Sequence, residues 1–165
     1  MSMSISPILS QVFLNALREE YSLKWHGTHG ISHWQRVREN GLLLSDSTGA
    51  NAEVVELFSV LHDVKRRNES RDPKHGHRGA DLAGRWQGRY FNLSQNELQL
   101  LQYACKYHTN GMTEAEITIQ TCWDADRLDL GRVGTRPIPE RLCTQKAKDP
   151  EIIAWAFNRS RINKE

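Results

Sequence analysis

Residues 54–66 read VVELFSVLHDVKR, and the spacing of their apolar side chains decides how the chain folds. Val54, Val55, Phe58, Leu61 and His62 stand at i, i+1, i+4, i+7 and i+8, which is one face of an α-helix and not the alternation of a strand. An imidazole at the end of such a stripe points into the core, where it needs a hydrogen-bond partner or a metal ion. Asp63 follows directly, so a histidine and a carboxylate arrive together at the end of a buried helix.

The same count carries outward along the chain. His33 continues into Val37, Gly41 and Leu44, His75 into Gly79, Ala83 and Trp86, and His108 completes the row Leu98, Leu101, Cys105. His77 aligns instead with Asp81 and Arg85 on the polar face. Four histidines on four helices therefore face inward. A core has little reason to collect imidazoles unless they converge on something that offsets their desolvation, and a metal ion is the usual such object. Histidine and aspartate donors suit zinc, iron, manganese, cobalt or nickel better than calcium, whose shell is all oxygen, and leave magnesium open. His26 and His29 lie in WHGTHG (25–30), whose two glycines read as a loop; they are expected to be structural or exposed, with His29 open to a supporting or substrate contact.

Helical periodicity recurs throughout and strand alternation does not, so the fold is expected to be all-α, a helical bundle around a buried metal site. Helices are expected at 6–20, 31–45, 51–63, 73–90, 94–108, 114–130 and 150–160. Asp72-Pro73 and Asp149-Pro150 read as an N-cap before a first-turn proline, and Ser94-x-x-Glu97 and Thr113-x-x-Glu116 as capping boxes. The 165 residues fit one domain, with a core about 27–134 and an irregular segment plus a C-terminal helix over 135–165. Gly131–Lys148, with Pro137 and Pro139, is expected either to fold over a cleft or to pack on the surface, and Asn163–Glu165 to fray.

Net charge is +2, so the total charge implies neither nucleic acid nor an anionic membrane as partner. Arginines nevertheless crowd the middle of the chain, at 66, 67, 71, 78, 85, 127, 132 and 136, either as a solvated face or as guanidinium forks for phosphate. The three cysteines, Cys105, Cys122 and Cys143, form no CxxC pair, which points to buried thiols in a reducing compartment. The N-terminal stretch does not read as a signal peptide, and the expected location is the cytoplasm.

In order along the chain, His33 in HWQRV, His62-Asp63 in VLHDVKR and Asp126 in DADRLDLG resemble the H…HD…D signature of the HD-domain superfamily of metal-dependent phosphohydrolases. DPKHGHRGADLA (72–83) resembles the H-x-x-x-G-A element that follows the doublet in many members, and YHTNG (107–111) the later histidine of six-ligand variants. The resemblance runs from about Gly27 to Gly134. It implies His33, His62, Asp63 and Asp126 as ligands of one metal, with His75 and His108 serving a second that Asp63 bridges. The family pattern favours Asp126, while periodicity leaves Asp124 open through the stripe Ile117, Thr121, Asp124, Leu128.

Where many relatives have glycine or serine and then a basic residue after the doublet, this chain has Val64-Lys65-Arg66, leaving open which base stands nearest the metal. The implied activity is hydrolysis of a nucleotide or other small phosphate ester by metal-activated water, with Asp63 holding the ions and taking the water's proton. Lys65, Arg66, Arg78 and Arg127 are candidates to receive the phosphate. The competing readings are a metal-binding or ligand-sensing module without turnover, and a di-iron protein of oxidative chemistry.

Overall fold

Asn51 opens the helix on which the fold turns, its side-chain oxygen accepting from the Val54 N–H at 3.2 Å. That helix, α3 (Ala52–Leu61), is followed by His62 still in helical conformation. The computed structural model describes Met3 and residues 6–162. Among these residues α3 is joined by α1 (Gln11–Glu20), α2 (Ile31–Thr48), α4 (His75–Trp86), α5 (Gln95–Tyr107), α6 (Ile117–Arg127), the single turn α7 (Gln145–Lys148) and α8 (Pro150–Arg161). No strand forms among them, only an isolated bridge between Gln87 and Phe91, and no helix is long and apolar enough to cross a membrane.

The caps explain where the helices depart from the expected bounds. Ser10 accepts from the Phe13 N–H at 3.2 Å, so α1 starts at Gln11 and not at 6. Asp72 does not cap α4, because its carboxylate is taken by the Arg67 N–H at 2.8 Å and the Arg78 guanidinium at 2.6 Å. Glu116, not Thr113, caps α6 by accepting from the Thr118 N–H. Ser94 and Glu97 form the expected reciprocal box, and Asp149 accepts from the Glu151 N–H ahead of Pro150. Gly49 ends α2 in the left-handed conformation, φ 74°. The expectation for Asn163–Glu165 lies outside the described residues.

α2 packs on α3 and α6, and α4 on α5, around a core in which Trp34, Trp123, Phe13 and Phe58 are fully enclosed. Two glycines set how α4 sits. A Cβ at Gly76 would stand 2.3 Å from the Cys105 carbonyl oxygen, and one at Gly79 2.3 Å from the Leu61 carbonyl oxygen. α4 thus rests backbone to backbone on α5 and on the end of α3, which brings His75 against both His108 and the His62-Asp63 pair. Gly79→Ala is expected to lower stability by about 1–3 kcal/mol through overpacking. A urea midpoint equal to that of the wild type would show that α4 can ride outward without loss.

The segment after α6 is irregular, with 3-10 turns at Leu130–Val133 and Pro139–Arg141. Asp124 ties it down, accepting from the Cys143 N–H at 2.7 Å, the Thr144 N–H at 2.8 Å and the Thr144 hydroxyl at 2.7 Å. α8 closes the end on a smaller core of Leu44, Leu128, Leu142, Ala147, Ile153 and Ala156.

Candidate functional site

Four side chains from three helix ends meet at one point. His33 Nε2 lies 3.1 Å from His62 Nε2, 3.4 Å from Asp63 Oδ2 and 3.2 Å from Asp126 Oδ1. His62 Nε2 lies 3.5 Å from Asp63 Oδ2 and 3.4 Å from Asp126 Oδ1. On the other side of the same carboxylate, Asp63 Oδ1 is 3.0 Å from His75 Nε2 and 3.6 Å from His108 Nε2, and these two nitrogens are 3.0 Å apart. Asp63 is thus shared by two groups of donors, each able to hold a metal ion.

The hydrogen bonds behind the histidines fix their orientation. His62 Nδ1 donates to the Phe58 carbonyl at 2.9 Å, His75 Nδ1 to the Asp72 carbonyl at 2.5 Å, and His108 Nδ1 to the Cys105 carbonyl at 2.7 Å. A carbonyl only accepts, so Nδ1 carries the proton in each, and the lone pair of the neutral ring is on Nε2. His33 Nδ1 donates to Asp129 Oδ2 at 2.6 Å, with the same result. Lone pairs and carboxylate oxygens that all face one point repel unless a proton or a cation stands between them. Asp126 Oδ1 carries the same message: it is buried and accepts no hydrogen bond, although two imidazole nitrogens are within 3.4 Å.

The residues fit a metal. Around an ion bound at about 2.1 Å, neighbouring donors stand roughly 3.0–3.4 Å apart, close to the separations of 3.0 to 3.6 Å here.

Protons hold the group together when no cation does. Burial opposes a charged His33, but Asp126, Asp129 and Asp63 outweigh both burial and the field of Arg132 and raise its pKa to about 9. Burial likewise works against an ionised Asp63, yet the imidazoles of His62, His108, His33 and His75 around it hold it well below the usual carboxylate range. Asp126 is held low in the same way by His33 and His62.

Asp129 was not singled out in the sequence, and it is the residue that orients His33. Arg36 clamps it from behind, Nε to Oδ1 at 2.7 Å and Nη2 to Oδ2 at 3.2 Å. The available signal was its position three residues after Asp126 in DADRLDLG. Supporting partners of this kind typically change metal affinity 10- to 100-fold. Asp129→Ala is therefore expected to weaken metal binding by about that factor in a competition titration; affinity equal to the wild type would mean that packing alone orients His33.

The donors open into a cavity of about 670 Å³, with Asp63, Asp126 and His108 in its wall. The irregular segment folds over this cleft and does not lie idle on the surface: Leu130, Val133, Pro137, Ile138 and Leu142 supply the apolar lining. Of the four basic residues expected near a phosphate, Arg66 and Arg127 line the cavity. Arg66 Nε donates to Asp63 Oδ1 at 3.2 Å. Lys65 and Arg78 do not line it. Lys65 Nζ pairs with Glu20 at 2.7 Å, and Arg78 holds Asp72 and the Lys65 carbonyl, pinning the loop before α4. Arg132 and Arg136, from the arginine-rich middle of the chain, line the cavity too, as does Arg141, which the sequence had not singled out. Asp126, not Asp124, joins the donors. His29 is buried in the cavity wall with Nδ1 2.5 Å from Glu69 Oε2, His26 is exposed, and His77 is half-buried against Tyr107, less exposed than its polar stripe implied.

A protein described as a predicted HD superfamily hydrolase, from an uncultured Thermotogales bacterium, superposes with a TM-score of 0.65 over 88% of this chain and 83% of its own, at 23% sequence identity. The chain shares the fold of that protein. No family profile and no curated protein matches the sequence. The histidine and aspartate positions that resemble the superfamily signature are those whose side chains converge.

Proposed function

We propose that the chain is a metal-dependent phosphohydrolase acting on a nucleotide or another small phosphate ester. The observation that carries this reading is the pair of buried donor groups joined through Asp63 and opening into a cavity lined by arginines. A divalent transition metal, one ion or two, from among manganese, iron, cobalt, nickel and zinc or else magnesium, supplies a water acidic enough to ionise near neutral pH and a Lewis acid for a phosphoryl oxygen.

The chain's own residues do the rest. His33, His62, Asp63 and Asp126 would hold one ion, and Asp63, His75 and His108 would hold a second. Asp63, the carboxylate common to both donor groups, would accept the proton of the attacking water. Arg66, bonded to Asp63 through Nε and to the Asn68 and Ser70 carbonyls through Nη1, would offer Nη2 and its positive charge to the phosphate beside the ions. The apolar segment over the cleft lowers the local dielectric and strengthens each of these interactions.

The test is elemental analysis of purified protein together with turnover of a phosphate-ester panel under added manganese, cobalt or magnesium. A metal-to-protein ratio near two with ester hydrolysis supports the reading with both donor groups in use. Metal without turnover favours a binding module, and tight iron with oxygen-dependent consumption of an organic compound favours oxidative chemistry; either sinks the hydrolase.

A further inference from the structure

Arg127 differs from the other arginines of the cavity. It is 9% exposed, its guanidinium lies 5.5 Å from the centroid of the Trp123 ring, and Nη1 donates to the Arg141 carbonyl at 3.0 Å and to Cys143 Sγ at 3.5 Å. Nη2 is buried and has no partner. The acids beside it in sequence do not supply one: Asp124 is spent on Cys143 and Thr144, and Asp126 faces the imidazoles. Arg66 and Arg132, by contrast, spread their donors over Asp63 and backbone carbonyls.

A buried cation with an unmet donor is expensive to maintain, and Arg127 lies in the cavity wall, so a turn of its guanidinium that carries the enclosed Nη2 to the cavity would let an anion there meet it. Arg66, in the loop after α3, already stands beside Asp63, so Arg127 on α6 is a further cationic position of the cavity carried by a different element. A cavity of about 670 Å³ has room for more than a bare phosphate.

We propose that Arg127 is a second anion subsite, and that the substrate is a phosphate ester carrying a second anionic group, phosphate or carboxylate, which Arg127 holds while the scissile phosphate lies by Asp63 and Arg66. The identification of the ligand as a substrate rests on the hydrolase reading; the subsite itself does not. Arg136 and Arg141, exposed in the same wall, add positive potential at that end. Leu130, Val133 and Ile138 cover the organic span between the two anions.

Calorimetry with non-hydrolysable ligands tests this apart from turnover. Alkane-α,ω-bisphosphonates of graded length are compared with alkyl monophosphonates of matched length, on metal-loaded wild type, Arg127→Gln, Arg127→Lys and Arg66→Gln. With a charge-assisted hydrogen bond from Arg127 to the second anion, the wild type is expected to bind at least one bisphosphonate more than about tenfold tighter than its partner. Arg127→Gln is expected to erase that preference, Arg127→Lys to keep part of it, and Arg66→Gln to weaken both ligands together. The same preference shown only by ω-carboxyalkyl phosphonates supports the subsite with a carboxylate as its occupant.

Equal affinity at every length in the wild type, or a preference that survives in Arg127→Gln, overturns the proposal. If Arg127→Gln does not fold, the wild-type comparison and Arg127→Lys decide. A bisphosphonate preference without hydrolysis of any ester would sink the phosphohydrolase and leave the subsite standing.

Discussion

Asp63→Asn is expected to strip the protein of metal and reduce ester hydrolysis to background. Asparagine keeps the shape of the side chain, so α3 and its packing on α2 are undisturbed, but it removes the charge that both donor groups share. Oδ2 faces His33 and His62, Oδ1 faces His75, and the amide can offer only one weak donor oxygen while placing N–H groups against lone pairs on the other side. Partners standing behind a ligand change affinity 10- to 100-fold; loss of the shared ligand is expected to exceed about 100-fold. Elemental analysis, with circular dichroism to confirm the helices, reads the outcome. Full metal content and full turnover in Asp63→Asn would end the proposal that Asp63 organises the centre, whereas metal lost from one group alone would show that Asp63 serves only that group.

The chelated protein is expected to lose stability between about pH 6.5 and pH 9, a range in which the metal-loaded protein holds or gains. His33 in the folded state has its pKa raised to about 9, above the ordinary histidine value of about 6.5. Its contribution is therefore fully present below about pH 6.5 and is lost as pH rises through 9. The shift corresponds to the order of 3 kcal/mol, or roughly 6–12 °C in melting temperature for a chain of this length.

Asp63, Asp126 and Asp129 are depressed, so their contribution is present above about pH 4 and is lost as pH falls through their folded values. The metal-free protein is thus most stable between about pH 4 and 6.5. A cation competes with the proton on His33, so its stabilisation grows as that proton leaves. Melting curves with chelator and with metal at the two ends of the range test this; a chelated protein equally stable at pH 6.5 and pH 9 would show that His33 is not charged in the metal-free state.

The residues that meet at Asp63 could be read by counting turns, because an inward position on a helix is a local property of spacing. His33, His62, His75 and His108 were found that way, and all four are buried. The same count could not separate Asp124 from Asp126. Asp124 is fully buried and Asp126 is 15% exposed, so burial alone favours the wrong one. What separates them is what each carboxylate faces: backbone N–H groups of Cys143 and Thr144 for Asp124, two imidazole nitrogens for Asp126. Those partners come from segments distant in sequence. Asp129 was missed because it lies beyond the end of α6, where helical periodicity no longer says which way a side chain points. Proximity to the doublet misled for Lys65, whose amine reaches Glu20 on α1.

Apolar spacing along single segments was enough to establish an all-α chain, the helices that carry the histidines, and an order of histidine and aspartate motifs that resembles the HD superfamily. Each of these depends on interactions within one turn or two of helix, which neighbouring residues encode directly. The bridging by Asp63 and the preference for Asp126 were implied by the resemblance, while the support of His33 by Asp129 and Arg36, the folding of 130–142 over the cleft and the unmet donor of Arg127 required the assembled molecule. They arise where side chains brought from far apart in sequence must satisfy one another's charge and hydrogen bonds in a space closed to water, and no local pattern records which partner each one finds.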